Sequence, residues 1–219
     1  MPRTQVAAKA LRSSADAREM NRSRLPPSER PFDLLVRKTG GEERAIGVLH
    51  ELSLQMGARL QRGLTGAVPD QVLAAVALIR AGIALDAVSS SLTWQEFEAF
   101  CANLLKVHGY TVKTNVVLTR PRRQIDIFAE GQTLALSVDC KHWGRSFSGW
   151  ALERVATEQI ERSTLYKLKR RVKVPVLPVI LTLLDSQVRE VVGVPVVPIF
   201  ALRDFLVSVN RFDEGLAIV

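Results

Sequence analysis

Cysteine is nearly absent from this chain: Cys101 and Cys140 are the only two in 219 residues. One pair cannot build a disulfide framework, and two thiols are too few for a cysteine-based zinc site, so a reducing compartment is expected. Histidine is scarce too, and His50, His108 and His142 stand at spacings that no metal-ligand motif uses. Long apolar runs are also missing. A membrane helix needs roughly 18 unbroken apolar residues, and the nearest approach, 72–88 (VLAAVALIRAGIALDAV), is interrupted by Arg80 and Asp86. A buried or amphipathic helix is expected there, with no membrane partner. Acidic residues are the remaining shortage, 22 against 30 lysines and arginines, for a net charge of +8.

An excess of that sign suits a polyanionic partner, because lysine and arginine displace counterions from phosphate backbones; a merely solvated surface is the plainer alternative. Residues 1–31 hold seven basic residues (Arg3, Lys9, Arg12, Arg18, Arg22, Arg24, Arg30) and three acidic ones (Asp16, Glu19, Glu29), so half of the excess sits there. The rest includes two clusters, Arg120/Arg122/Arg123 and 162–173 (RSTLYKLKRRVK). This first stretch lacks the apolar core of a secretory signal, and Asp16 and Glu19 argue against a transit peptide. A disordered basic arm and a cytoplasmic location are expected, with an organellar matrix or the nucleoid as alternatives. An apolar fraction of 47% and a charged fraction of 24% are those of a folded domain with an appendage.

Three regions follow from the patterning: a basic tail over 1–31, a helical region over 32–90, and an α/β domain over 91–219. The tail closes on LPPSERP, whose prolines stop a helix. In 42–63, Ile46, Leu49, Leu52 and Met56 recur at helical spacing, with Gly63 as a C-terminal cap. A second helix runs from Pro69-Asp70 to Gly82, and IALDAVSSS reads as a third; a helix-turn-helix or a plain bundle fits equally. SLTWQEFEAFCANLLKVHGY is an amphipathic helix capped at Thr93, with Phe97, Phe100, Cys101, Leu104 and Leu105 on its buried stripe and Gly109 ending it. Strands are expected at 110–117, 124–130 and 133–140, a helix at 150–169, and a strand at 174–184. A short helix (DSQVREVV), a strand at 194–200 and a closing helix complete the chain. The order predicts a mixed sheet flanked by helices.

Residues 122–146 (RRQIDIFAEGQTLALSVDCKHWGRS) place one acid on each arm of a hairpin. With Gly131-Gln132 as a two-residue turn, glycine supplying positive φ, Asp126 falls opposite Ser137. Alternation then sets Ser137, Asp139 and Lys141 on the face of Asp126, and Ile125, Ile127, Leu134, Leu136, Val138 and Cys140 on the other. Asp139 becomes a diagonal neighbour of Asp126. Adjacent carboxylates repel and need compensating charge. Lys141 supplies one charge; Mg²⁺, which binds through one or two carboxylates plus water and phosphate, would supply more. Such a set can hold an attacking water and neutralise a phosphate. An ordinary surface ion pair is the competing explanation.

The set Asp126 and Asp139-Cys140-Lys141, led by the helix TWQEFEAFCANLLKVHGYTV, resembles the PD-(D/E)XK nuclease superfamily, most closely Mrr-like restriction endonucleases and more distantly archaeal Holliday junction resolvases. The resemblance covers roughly 91–205. It implies a restriction-endonuclease-like fold and a Mg²⁺-dependent endodeoxyribonuclease, with Mn²⁺ as the alternative ion, acting on double-stranded or branched DNA and often as a homodimer. It also implies that Asp126, Asp139 and the Cys140 carbonyl ligate the metal and that Lys141 orients water or stabilises the phosphate. Glu98, eleven residues before Gly109, is implied as the helix acid, since Glu96 stands three after Thr93 in a capping box. Gln159 matches an accessory polar position, with Glu158 as a rival.

Two departures stand out. The family usually has Gln or Glu where Asp139 stands, and its glycine-rich approach to the first acid is replaced by TRPRRQ. Arg120, Arg122, Arg123, His142, Lys167, Lys169 and Arg170 are expected to contact DNA, while Trp143 serves packing or DNA equally. Competing functions are a structure-selective repair or junction-resolving nuclease, a nuclease fold kept for binding or scaffolding, and an unrelated basic α/β protein.

Overall fold

Pro31, the last residue of the proline-rich stretch, opens a helix rather than closing a tail. Helix α1 (Pro31–Thr39) carries proline in its first turn, where no backbone N–H is needed, and ends on Gly40 in the left-handed conformation. The computed structural model describes residues 30–57, 68–83, 88, 91–141, 149–183, 187–209 and 215–219. Residues 1–29 of the expected 1–31 tail, the Gly63 cap and most of IALDAVSSS lie outside them.

The chain divides into two compact units, residues 1–97 and 98–219. In the first, α1 packs against α2 (Glu42–Gln55) and α3 (Val68–Arg80). The amide of Phe32 donates to Gln71 Oε1 at 3.1 Å. Residues 71–78 of α3 are all buried, as expected of a helix apolar on every side. Helix α2 stops at Gln55, with Gly57 at positive φ, well before the predicted cap. Ile46, read as core, is 49% exposed; Ala45 is the buried neighbour. Three-four spacing back from Leu49 admits either residue, and the helix turns Ala45 inward.

Helix α4 (Trp94–Val107) begins with the capping box read from the sequence: Thr93 N donates to Glu96 Oε2 at 2.8 Å, and Glu96 N to Thr93 Oγ1 at 3.2 Å. Arg30 pairs with Glu96 and donates to the Ser91 carbonyl at 3.0 Å. The five stripe residues are buried, and Gly109 (φ +88°) ends the helix as predicted.

The second unit is built on a six-stranded sheet ordered β1-β2-β3-β4-β6-β5. Its strands are β1 (Thr111–Leu118), β2 (Arg123–Glu130), β3 (Ala135–Lys141), β4 (Val176–Thr182), β5 (Glu190–Val191) and β6 (Val194–Pro198). The first three run antiparallel; β3, β4 and β6 are parallel, and β5 is antiparallel to β6. Helix α5 (Gly149–Arg170) provides the crossover from β3 to β4, and α6 (Leu202–Ser208) follows a single 3₁₀ turn after β6. This is the mixed α/β sheet with flanking helices that the element order predicted.

Two local readings are corrected. Described residues 187–191 are not helical: Val192 (φ +53°) and Gly193 (φ +75°) make a two-residue turn joining β5 to β6. The β2–β3 connection holds four residues, Gly131 to Leu134, closed by Gly131 N donating to Leu134 O at 3.0 Å. Gly131 is not at positive φ. Glycine is required there because a Cβ would stand 2.7 Å from the Leu134 carbonyl oxygen and 3.0 Å from the Tyr110 ring.

Candidate active site

The four-residue loop shifts the hairpin register by two residues relative to the predicted turn. A two-residue shift preserves which side chains share a face, so Asp126, Ser137, Asp139 and Lys141 stay together. The pairing runs from Glu130↔Ala135 to Ile127↔Val138; continued by one step, it sets Asp126 level with Asp139 instead of diagonal to it. The next β3 amide beyond that pairing belongs to Cys140, and it donates to Asp126 Oδ2 at 2.9 Å. On the other side, β1 pairs with β2 through Thr114↔Ile127 and Val116↔Ile125, while the intervening Asn115 takes φ +50°. The ladder is therefore opened on both sides of Asp126, and its carboxylate turns into the gap.

Asp139 is 1% exposed. Lys141 Nζ lies 2.6 Å from its Oδ2, a close charge contact without hydrogen-bond alignment, so Oδ2 has no hydrogen-bond donor. Its Oδ1 accepts from Arg162 Nη1 at 3.1 Å. Glu98 of α4, 8% exposed, completes the acidic set. Burial, then the charges of Asp126 and Asp139, push its carboxyl up to about 7, with Lys141 opposing. Burial and then Asp139 raise Asp126 as well, against the Cys140 amide, Lys141 and Arg162. Glu96 is different: burial pushes it up, but the Thr93 amide, Arg30 and the Thr93 hydroxyl hold it below the usual range.

Among the described residues, no three His, Cys, Asp or Glu side chains are gathered closely enough to hold an ion by themselves. The arrangement suits instead a hard cation held by two carboxylates, with water or phosphate filling the other positions. Asp139 Oδ2, buried and without a donor, faces that task. The Cys140 side chain alternates to the opposite face, where its thiol meets Cys101 and burial raises it far above the ordinary thiol range. Any contribution of Cys140 to a metal would therefore come from its carbonyl.

Gln159 is fully buried and donates from Nε2 to Ser137 O (2.8 Å) and Ser137 Oγ (3.1 Å), with Oε1 unpartnered. It braces the strand one pleat from Asp139. Glu158 is an exposed neighbour of Arg154, 3.8 Å away. Arg120, Arg122 and Arg123 lie exposed at the β1–β2 turn, and Arg123, three strand residues before Asp126, stands roughly 10 Å from it at 3.3 Å per residue. Lys169 clasps that turn by donating to the Thr119 and Arg120 carbonyls, and Lys167 donates to Val219 O at 2.7 Å. Lys169 and Arg170 line a shallow cleft of about 300 Å³ with Val117, Leu118 and Thr119. His142 and Trp143 lie outside the described residues.

Two residues escaped the sequence reading. Charge alone places Arg162 in a cluster; its position three residues after Gln159, on the inward helical face, is the available signal. Asn115 carried none, beyond being a residue type that tolerates positive φ.

A mixed sheet that carries an acid on its second strand and D-x-K on its third is the arrangement expected of a PD-(D/E)XK-type nuclease core. In agreement, residues 89–164, about a third of the chain, match the family model described as "Restriction endonuclease" (Mrr_cat), so the chain carries a nuclease domain of the Mrr-like restriction-endonuclease type. Such domains act on DNA and generally use divalent metals. A protein of Archaeoglobus fulgidus, described as "Uncharacterized protein", is 28% identical over 127 residues, which are 55% of this chain and 95% of that one. No solved structure matches the chain. No helix among the described residues is long and apolar enough to cross a membrane.

Proposed function

We propose that this chain is a metal-dependent DNA endonuclease that hydrolyses phosphodiester bonds at the site formed by Asp126, Asp139 and Lys141. One observation carries the reading: the hairpin register brings two carboxylates level, and the lysine stands 2.6 Å from one of them. A binding module has no use for buried acids aimed at a phosphate, since each repels it.

In this reading Asp126 and Asp139 hold the ion, Mg²⁺ or alternatively Mn²⁺, with the Cys140 carbonyl as a third donor. The bound ion supplies a polarised water and neutralises charge on the phosphate. Lys141 leaves Asp139 to meet the phosphate oxygens as negative charge builds there, a transfer its flexible stem permits. Glu98, with a carboxyl balanced near neutral pH, can exchange a proton with the attacking water. The P–O bond breaks as the water oxygen joins phosphorus, leaving a phosphate and a hydroxyl terminus. Arg120, Arg122 and Arg123 grip the backbone beside the site, and Arg170 extends that grip. Cutting both strands in one encounter calls for two such sites, which a homodimer would supply.

The test is cleavage of supercoiled plasmid by wild type, Asp139→Ala and Lys141→Ala, with Mg²⁺ and with chelator. Cleavage by wild type in Mg²⁺ alone, lost in both variants, is expected. Cleavage surviving both substitutions refutes the site, and binding without cleavage by wild type favours a scaffold. Methylated plasmid and four-way junctions, run in parallel, separate a restriction role from junction resolution.

A further inference from the structure

Resting on that reading of the site, we propose that Arg162 is a positioning residue: it spans the opened β2–β3 gap from helix α5 and fixes the Asp139 carboxylate so that one oxygen remains for a cation. The geometry is specific. A single nitrogen, Nη1, lies 3.1 Å from Asp139 Oδ1 and 3.3 Å from the Gln124 carbonyl on β2. On its other side, Nε donates to the Glu158 carbonyl at 3.1 Å, which anchors the guanidinium to its own helix. Arg162 thus contacts both acid-bearing strands where their ladder has stopped, two residues from Asp126 on one and at Asp139 on the other. With Oδ1 held, Oδ2 is the oxygen left toward Lys141 and the ion. Aspartate, shorter than the family's usual residue, reaches less far, so its aim matters more.

The guanidinium also puts a positive charge beside the acids, which weakens cation binding. Removing it therefore has two separable effects. Orientation is lost, which slows the reaction. Repulsion of the cation is relieved, so affinity for it does not fall. A role confined to holding the fold together predicts something else, a joint loss of stability, cation affinity and rate.

The experiment compares full-length wild type, Arg162→Gln and Arg162→Lys in three measurements: thermal melting, calorimetric titration of Ca²⁺ into the DNA-free protein, and single-turnover plasmid cleavage at saturating Mg²⁺. Arg162→Gln is expected to lose roughly 10- to 100-fold in rate, the scale of a misplaced group, with Ca²⁺ affinity equal to or above wild type. Arg162→Lys, which keeps a charge but only one point of attachment, should recover part of the rate. An unchanged rate in Arg162→Gln overturns the proposal, as does a loss that extra Mg²⁺ fully restores, or unfolding of both variants. A wild type that neither cuts DNA nor binds the cation overturns the functional reading and this proposal together.

Discussion

Replacing Glu98 with glutamine should make the protein more stable, and by an amount that depends on pH. The carboxyl of Glu98 rises from its ordinary 4.5 to about 7 through burial and through Asp126 and Asp139. The folded protein therefore holds a proton that the unfolded chain has released between those two values. Stability falls as pH rises through that window. At about 1.4 kcal/mol per pKa unit, an ionised Glu98 costs the folded state about 3 kcal/mol at pH 8, and almost nothing below pH 4.5, where both states are protonated. Glutamine keeps the shape and removes the charge. Asp126 is raised in the same direction, but it is present in both proteins and largely cancels. Thermal melts of wild type and Glu98→Gln at pH 5 and pH 8, with chelator so that no cation compensates the acids, read the difference. For a protein of this size the pH 8 gain corresponds to roughly 6–12 °C, shrinking to a small residue at pH 5. A variant less stable than wild type at pH 8, or equally stabilised at both values, refutes the argument that the acids crowd one site.

Other outcomes follow from single contacts. Thr93→Ala removes the acceptor for the Glu96 amide and should cost about 1 kcal/mol in urea unfolding. Gly131→Ala drives a methyl against the Leu134 carbonyl at 2.7 Å and should cost about 1–3 kcal/mol, with Gly131→Ser no better because the clash is at Cβ. In an Asp139→Ala background that prevents cutting, changing Arg120, Arg122 and Arg123 to glutamine should lower the slope of log affinity against log salt by about 2–3. Fluorescence anisotropy with a duplex measures this, and because all three are exposed the far-UV spectrum should stay unchanged.

The site was legible in the sequence to the extent that it depends on parity. The predicted turn was wrong by two residues, yet Asp126, Asp139 and Lys141 still share a face because strand side chains repeat every second residue. The choice between Glu96 and Glu98 was legible for a local reason too: a capping box lies within one helical turn, and its completion leaves Glu98 free to turn to the acids. Features set by long-range packing were not legible. Arg162 meets Asp139 across 23 residues of chain, and a charge cluster does not announce which of its members points inward. The β5–β6 turn was hidden because Val192 is an unusual residue at positive φ, so a run of valines and charges read as helix. Ile46 against Ala45 is the same kind of error, a one-residue rotation that spacing alone does not fix. Lys167 and Lys169, expected on DNA, hold backbone carbonyls of their own protein, which no count of charge reveals.

The most direct test asks where a cation sits. Fe²⁺ substituted for Mg²⁺, with ascorbate and peroxide, generates radicals that cut the polypeptide beside the bound ion, and mass spectrometry locates the breaks. The account predicts scission on β2 and β3 around Asp126 and Asp139, suppressed by excess Mg²⁺ and lost in Asp126→Asn and Asp139→Asn. Breaks elsewhere, or none at these strands in a protein that still cuts DNA, would contradict it.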